Sequence, residues 1–207
     1  MISEHDVYWV VVTCQKRKEQ GFDARNVFEA VPGLNEFYDP YMKGTVWSHV
    51  KALRQGFESG ARWIVMFQDD IILCNDFYSK ALKRIEEAEL LGFKLFQYFR
   101  PMDFPEDDRR WQIEKGATYL WDQAAAFRYD FARKWLSWAS DYEDTYYDEK
   151  EGHDSLLGKY LKEVKQDYAI CVPNLVDHNI DMDSTLGTAK NCFGRPRNSR
   201  TFSMGAD

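Results

Sequence analysis

Continuous apolar runs alternate along this chain with stretches in which apolar residues return every three or four positions. Val7-Tyr8-Trp9-Val10-Val11-Val12-Thr13 is β-branched and aromatic without polar alternation, and it breaks at Cys14-Gln15-Lys16-Arg17-Lys18-Glu19. That pattern predicts a strand covered on both faces, then a loop. Residues 22–43 carry the turn signals Pro32-Gly33 and Asp39-Pro40, with a short strand placed at 27–30. Over 45–59 the period becomes helical, with Val46, Val50, Leu53 and Phe57 on one face and Gly60 as the stop. Trp63-Ile64-Val65-Met66-Phe67 reads as a second buried strand, ending in Gln68-Asp69-Asp70. Asn75-Asp76 can cap a helix whose inner face is Phe77, Ala81, Ile85 and Ala88 and which Gly92 closes.

Further on, residues 94–99 read as a third strand and 100–115 as a polar, Pro-containing loop. A short strand follows at 118–120, a helix at 127–138, an acidic and aromatic loop at 141–151, a helix at 155–164 and a last strand at 168–172. Alternation of strand and helix throughout predicts an α/β fold with a mostly parallel sheet flanked by helices. The 207 residues suffice for a single domain with a real core, taken as 1–187. Residues 188–207 form a basic tail holding Lys190, Arg195, Arg197 and Arg200.

Charge and cysteine content narrow the classes. Lys and Arg number 27 against 34 Asp and Glu, a net charge of −7, which argues against general coating of nucleic acid but leaves room for a local basic groove. Cys14, Cys74, Cys171 and Cys192 are far apart and form no CxxC pair, so a zinc knot is not expected and free thiols are. No apolar run reaches the roughly 20 residues of a membrane span. Met1-Ile2-Ser3-Glu4-His5-Asp6 lacks the marks of a secretion signal, and the expected compartment is cytoplasmic. There is no GxGxxG, no Walker A loop and no GxSxG elbow.

In parallel α/β sheets ligands bind beyond the carboxyl ends of strands, so strand exits are where chemistry is sought. Gln68-Asp69-Asp70 places two repelling carboxylates at one exit. A divalent cation would compensate them; simple solvation or a turn would also account for the pair. His178 follows the last strand among Asp177, Asp181 and Asp183, where it is either an ordinary structural histidine or a metal ligand. Asp154 in Glu151-Gly152-His153-Asp154 opens a helix, a place the helix dipole favours for an acid, and it is also a candidate general base. Lys16, Arg17 and Lys18, or Arg195, Arg197 and Arg200, could grip a diphosphate.

Taken in order, these segments resemble those of GT-A-fold glycosyltransferases, Rossmann-like enzymes that use a nucleotide-diphosphate sugar and usually a divalent metal. The resemblance covers most of the chain. Trp63–Phe67 with Gln68-Asp69-Asp70 resembles the family's DxD element, with Gln in the first position. Trp47-Ser48-His49 through Gly56 resembles the lead-in, and Cys74-Asn75-Asp76-Phe77 the follow-on. Trp121-Asp122-Gln123 through Arg128 resembles the acceptor-side stretch. Pro173 to His178, through Ser184-Thr185-Leu186-Gly187, resembles the segment with the metal histidine.

The resemblance implies Asp70 and His178 as metal ligands for manganese or magnesium, Asp69 assisting and Gln68 beside the ribose. It implies Thr13 and Arg17 at the donor's base and diphosphate, Arg195 and Arg197 in a tail closing over the donor, and Asp154 as base in an inverting transfer. The donor is expected to be a nucleotide-diphosphate sugar, a UDP-sugar first among them. The acceptor is a saccharide or small molecule, met by Arg100, Trp111, Trp121 and Asp122. The alternative is a hydroxymethylated pyrimidine in DNA, flipped from the stack as in phage DNA modification, in which case the compartment is the host cytoplasm. Two other classes stay open: a non-catalytic, calcium-dependent glycan-binding module, and a nucleotidyltransferase, which would release pyrophosphate.

Overall fold

The computed structural model describes residues 2–95, 111–116, 119, 123–140, 152–179, 181–182, 191–192, 195–196, 202 and 204. The strands are β1 (Val7–Cys14), β2 (Asn35–Asp39), β3 (Trp63–Gln68), β4 (Ile71–Leu73), β5 (Gly92–Lys94), β6 (Trp111–Glu114), β7 (Ala124–Arg128), β8 (Tyr168–Cys171), β9 (Val176–His178), β10 (Asn191–Cys192) and β11 (Arg195–Pro196). The helices are α1 (Gln15–Glu19), α2 (Ala24–Val27), α3 (Thr45–Glu58), α4 (Phe77–Glu87), α5 (Tyr129–Ala139) and α6 (His153–Glu163).

Seven strands form the central sheet in the order β2-β1-β3-β7-β5-β8-β6. β2, β1, β3, β5 and β8 run one way; β7 and the edge strand β6 run the other. The result is a mixed α/β domain whose mostly parallel sheet is flanked by helices, consistent with a Rossmann-like fold.

Period-two alternation divides the core into two layers. Val7, Trp9 and Val11, with Trp63, Val65 and Phe67, face α4 through Phe77, Ala81 and Ile85. Aromatic rings carry much of this side: Trp9 stacks on Phe67 at 6.1 Å and meets Phe77 edge-on. Val10, Ile64 and Met66 face the other way, onto α3, α5 and α6. Helix α3 approaches the sheet closely at Gly56, where a Cβ would come within 2.7 Å of the Ile64 side chain and 3.0 Å of Tyr8.

Several elements depart from the sequence expectations. Residues 127–128 belong to β7, not to a helix; the helix starts at Tyr129. Alanine favours helix locally, but Ala124–Arg128 lies between β3 and β5, where pairing on both edges decides. The strand placed at 27–30 is absent: Ala24–Val27 is helical, and the strand comes later, at Asn35–Asp39. Its Asn35, Glu36 and Tyr38 are exposed on an edge strand, which hides the apolar pattern. Gln15–Glu19 is a short helix rather than a loop. Helix α4 stops at Glu87, and Gly92 opens β5. Asp76 does precede α4, in the left-handed conformation and without a side-chain capping bond. Trp111–Glu114 is a strand at the end of the expected loop. Of the strand placed at 118–120 only Tyr119 is described, and residues 96–110 and 141–151 lie outside the described residues. In the tail, Phe202 packs on the α4-side core and Asn75 N donates to Met204 O at 3.0 Å.

Candidate functional site

The site is built where β1 and β3 end side by side. Their register, Val7 against Trp63 through Val12 against Gln68, sets Thr13 beside Asp69. β4 continues past the acidic tip and pairs antiparallel with β9, Ile71 against His178. The pairing is extended by Asn179 N, which donates to Asp70 O at 2.7 Å. This small second sheet carries the His178 ring across 108 positions of sequence, to put Nε2 3.2 Å from Asp70 Oδ2.

Arg17, the third residue of α1, turns inward and is 1% exposed. Its Nε donates to Asp69 Oδ1 at 2.9 Å, its Nη1 donates to Gln20 Oε1 at 3.1 Å, and its Nη2 stands 3.8 Å from Asp70 Oδ2. The two carboxylates therefore have an internal counter-charge. The sequence reading gave Arg17 as a grip for the donor's diphosphate; the fold sets its guanidinium against Asp69. Burial still dominates at Asp69, raising its pKa to about 6, with the Asp70 charge adding to the rise and Arg17 and Thr13 opposing it. The buried Thr13 hydroxyl faces that carboxyl without a hydrogen bond of ordinary geometry.

Asp70 Oδ1, Thr13 Oγ1 and His178 Nδ1 are buried polar atoms without a hydrogen-bond partner. A buried acceptor left unsatisfied is costly, and a cation is one remedy. The 3.2 Å between Asp70 and His178 is a hydrogen-bond distance; it is also close to the ~3 Å between neighbouring ligands of an octahedral cation with bonds of about 2.1 Å. Carboxylate oxygen suits magnesium or manganese, and the imidazole tilts a mixed partial donor set toward manganese. Among the described residues no group of three or more His, Cys, Asp or Glu could hold a metal unaided, so substrate oxygens or water would complete the shell.

On the other side of the tip, Gln68 Nε2 lies 3.3 Å from His153 Nε2, and the His153 ring stacks on His49 at 4.4 Å. This brings the start of α6, and with it Asp154, to the exit of β3. Asp154 Oδ1 accepts from Ser155 N at 2.9 Å. The His49–His153 stack joins residues from α3 and α6 and has no signature in either local sequence.

Asp39 closes β2 beside Cys14 and is buried; it accepts from Tyr41 N, Lys43 N and Ser48 Oγ. The sequence marked it only as a turn, because its strand is amphipathic and short. Trp111 stands apart from the acidic tip. It sits on β6, four strand positions from β3, about 19 Å at ~4.8 Å per strand, with its ring edge-on to Phe93 and near Arg84. Arg100, Trp121, Asp122 and Arg197 lie outside the described residues, and Arg195 is described by its backbone alone, in β11.

No protein-family model matches the chain, and no curated protein matches it in sequence. Among solved structures it is similar to A197 from STIV, at 8% identity over 83% of this chain and 85% of that one, with a TM-score of 0.48. It is also similar to mannose-1-phosphate geranyltransferase from Thermus thermophilus, at 11% identity over 80% and 73%, with a TM-score of 0.39. Likenesses at this level carry no statement about chemistry. No described helix is long and apolar enough to cross a membrane.

Proposed function

We propose that this chain is a glycosyltransferase of the GT-A kind, moving a sugar from a nucleoside-diphosphate donor to an acceptor hydroxyl of a saccharide or small molecule. The observation that carries the reading is the meeting of Asp70 and His178 just beyond the exit of β3, beside orphaned buried acceptors. Asp70 and His178 would hold manganese or magnesium, whose charge stabilises the departing diphosphate. Gln68, whose amide meets His153 at 3.3 Å, would lie beside the ribose of the donor. Asp154 accepts the proton as the acceptor oxygen bonds to the anomeric carbon and the carbon–phosphate oxygen bond breaks, the electron pair leaving with the nucleoside diphosphate.

The test is a thermal-shift panel of UDP, GDP, ADP and CDP, each with and without Mn2+, on wild type and Asp70→Ala. A ligand at 100 times its Kd adds about 2.7 kcal/mol, roughly 5–11 °C for a chain of this size. One nucleoside diphosphate is expected to raise the melting temperature only with Mn2+, and only in wild type. Equal shifts in Asp70→Ala, or none in wild type, overturn the reading. With a matching nucleotide sugar, nucleoside diphosphate is the expected product; pyrophosphate would mark nucleotidyl transfer instead.

A further inference from the structure

We propose that Arg17 is a built-in competitor of the divalent cation, holding the metal affinity of the bare protein low until an anionic diphosphate arrives. This rests on the metal reading of Asp70 and His178 given above and adds how that site is regulated.

The two carboxylates of the tip are used differently. Asp69 is committed to Arg17 by a 2.9 Å charge-assisted bond inside the core. Asp70 is not committed: Oδ2 faces His178 at 3.2 Å and Arg17 at 3.8 Å, and Oδ1 has no partner. A guanidinium is always charged, so the cluster carries −1 from Asp69, −1 from Asp70 and +1 from Arg17, or −1 in all. A cation bound at Asp70 must therefore sit close to a fixed positive group that solvent cannot screen, since Arg17 is 1% exposed and is also tied by a hydrogen bond to Gln20. Asp69 does not ligate the cation in this arrangement; it anchors Arg17. A diphosphate completing the cation's shell adds negative charge beside it and offsets the repulsion, so cation and nucleotide bind together more tightly than either binds alone.

The experiment measures Mn2+ alone, by electron paramagnetic resonance of the free ion and by melting temperature, on wild type, Arg17→Gln, Asp69→Asn, the double variant Arg17→Gln/Asp69→Asn, and Asp70→Asn. Local charge becomes −2, 0 and −1 in the first three variants. Arg17→Gln is expected to bind Mn2+ at least tenfold more tightly than wild type and to gain more stability from it. Asp69→Asn is expected to bind at least tenfold more weakly. The double variant is expected to return to within about threefold of wild type, although it lacks the Asp69 charge. If removing Arg17 restores nothing in the Asp69→Asn background, the competition is refuted; that comparison stands even if the uncompensated Arg17→Gln protein fails to fold. Should Asp70→Asn bind Mn2+ as wild type does, the metal reading itself fails. Loss of binding in Asp70→Asn with equal affinity in wild type, Asp69→Asn and the double variant overturns the role of Arg17 alone.

Discussion

Lowering the pH should destabilise this protein through one buried imidazole. His49 lies inside α3, edge-on to Phe127 at 5.9 Å and stacked on His153 at 4.4 Å, and its Nε2 has no partner. Burial, and then the neighbouring His153, hold its pKa well below the ordinary imidazole value of 6.5. Above pH 6.5 the ring is neutral in both folded and unfolded chains and contributes no pH dependence. Below 6.5 the unfolded chain binds a proton that the folded chain refuses, so stability falls as pH falls, by up to about 1.4 kcal/mol per pH unit. Between pH 7.5 and 5.5 that amounts to about 1.4 kcal/mol, or roughly 3–6 °C in melting temperature for a chain of this size. Asp69 works in the opposite sense: a carboxyl raised to about 6 takes up its proton in the folded chain first and stabilises it as pH falls below 6. The effect of His49 is therefore read as a difference between wild type and His49→Leu, in urea melts at both pH values. The wild type should lose about 1.4 kcal/mol more than the variant. Equal losses in the two proteins would mean that the folded chain protonates His49 freely, and the burial argument would be wrong.

Two further outcomes can be checked. Trp9 is almost fully buried against Phe67, Phe77 and Tyr78, so Trp9→Ala should cost about 3–5 kcal/mol in urea unfolding, and a loss under ~1 kcal/mol would contradict the packing described. Asp154 sits in the first turn of α6, where loss of its charge should cost only about 0.3–1 kcal/mol; Asp154→Asn should therefore keep its nucleotide-dependent thermal shift while turnover falls at least ~100-fold, and unimpaired turnover removes it as the base.

How far the chain could be read without coordinates depended on whether the signal was local. β1 and β3 were plain because strands buried on both faces are apolar at every position, a composition that no folding partner needs to reveal. The acidic tip was plain for the same reason, since Gln68-Asp69-Asp70 ends an uninterrupted apolar run. β7 was not legible, because Ala124–Arg128 is locally ambiguous and its pairing with β3 and β5 decides its state.

The residue types of the candidate site were open to inspection: a carboxylate pair at one strand exit, a histidine after the last strand, an acid opening a helix. What no inspection of the chain could supply was direction. Whether the Arg17 guanidinium points outward or lies against Asp69 depends on how a five-residue helix is set against β3. Whether His178 reaches Asp70 depends on the register of β4 with β9, and whether His49 meets His153 depends on how α3 and α6 pack on the same face of the sheet. Composition and period fix the strongly apolar or strongly periodic elements, such as β1, β3 and α3, and the face that each buries. Contacts between residues a hundred positions apart are fixed only when those faces are packed together, and in this protein those contacts set the charge balance of the site.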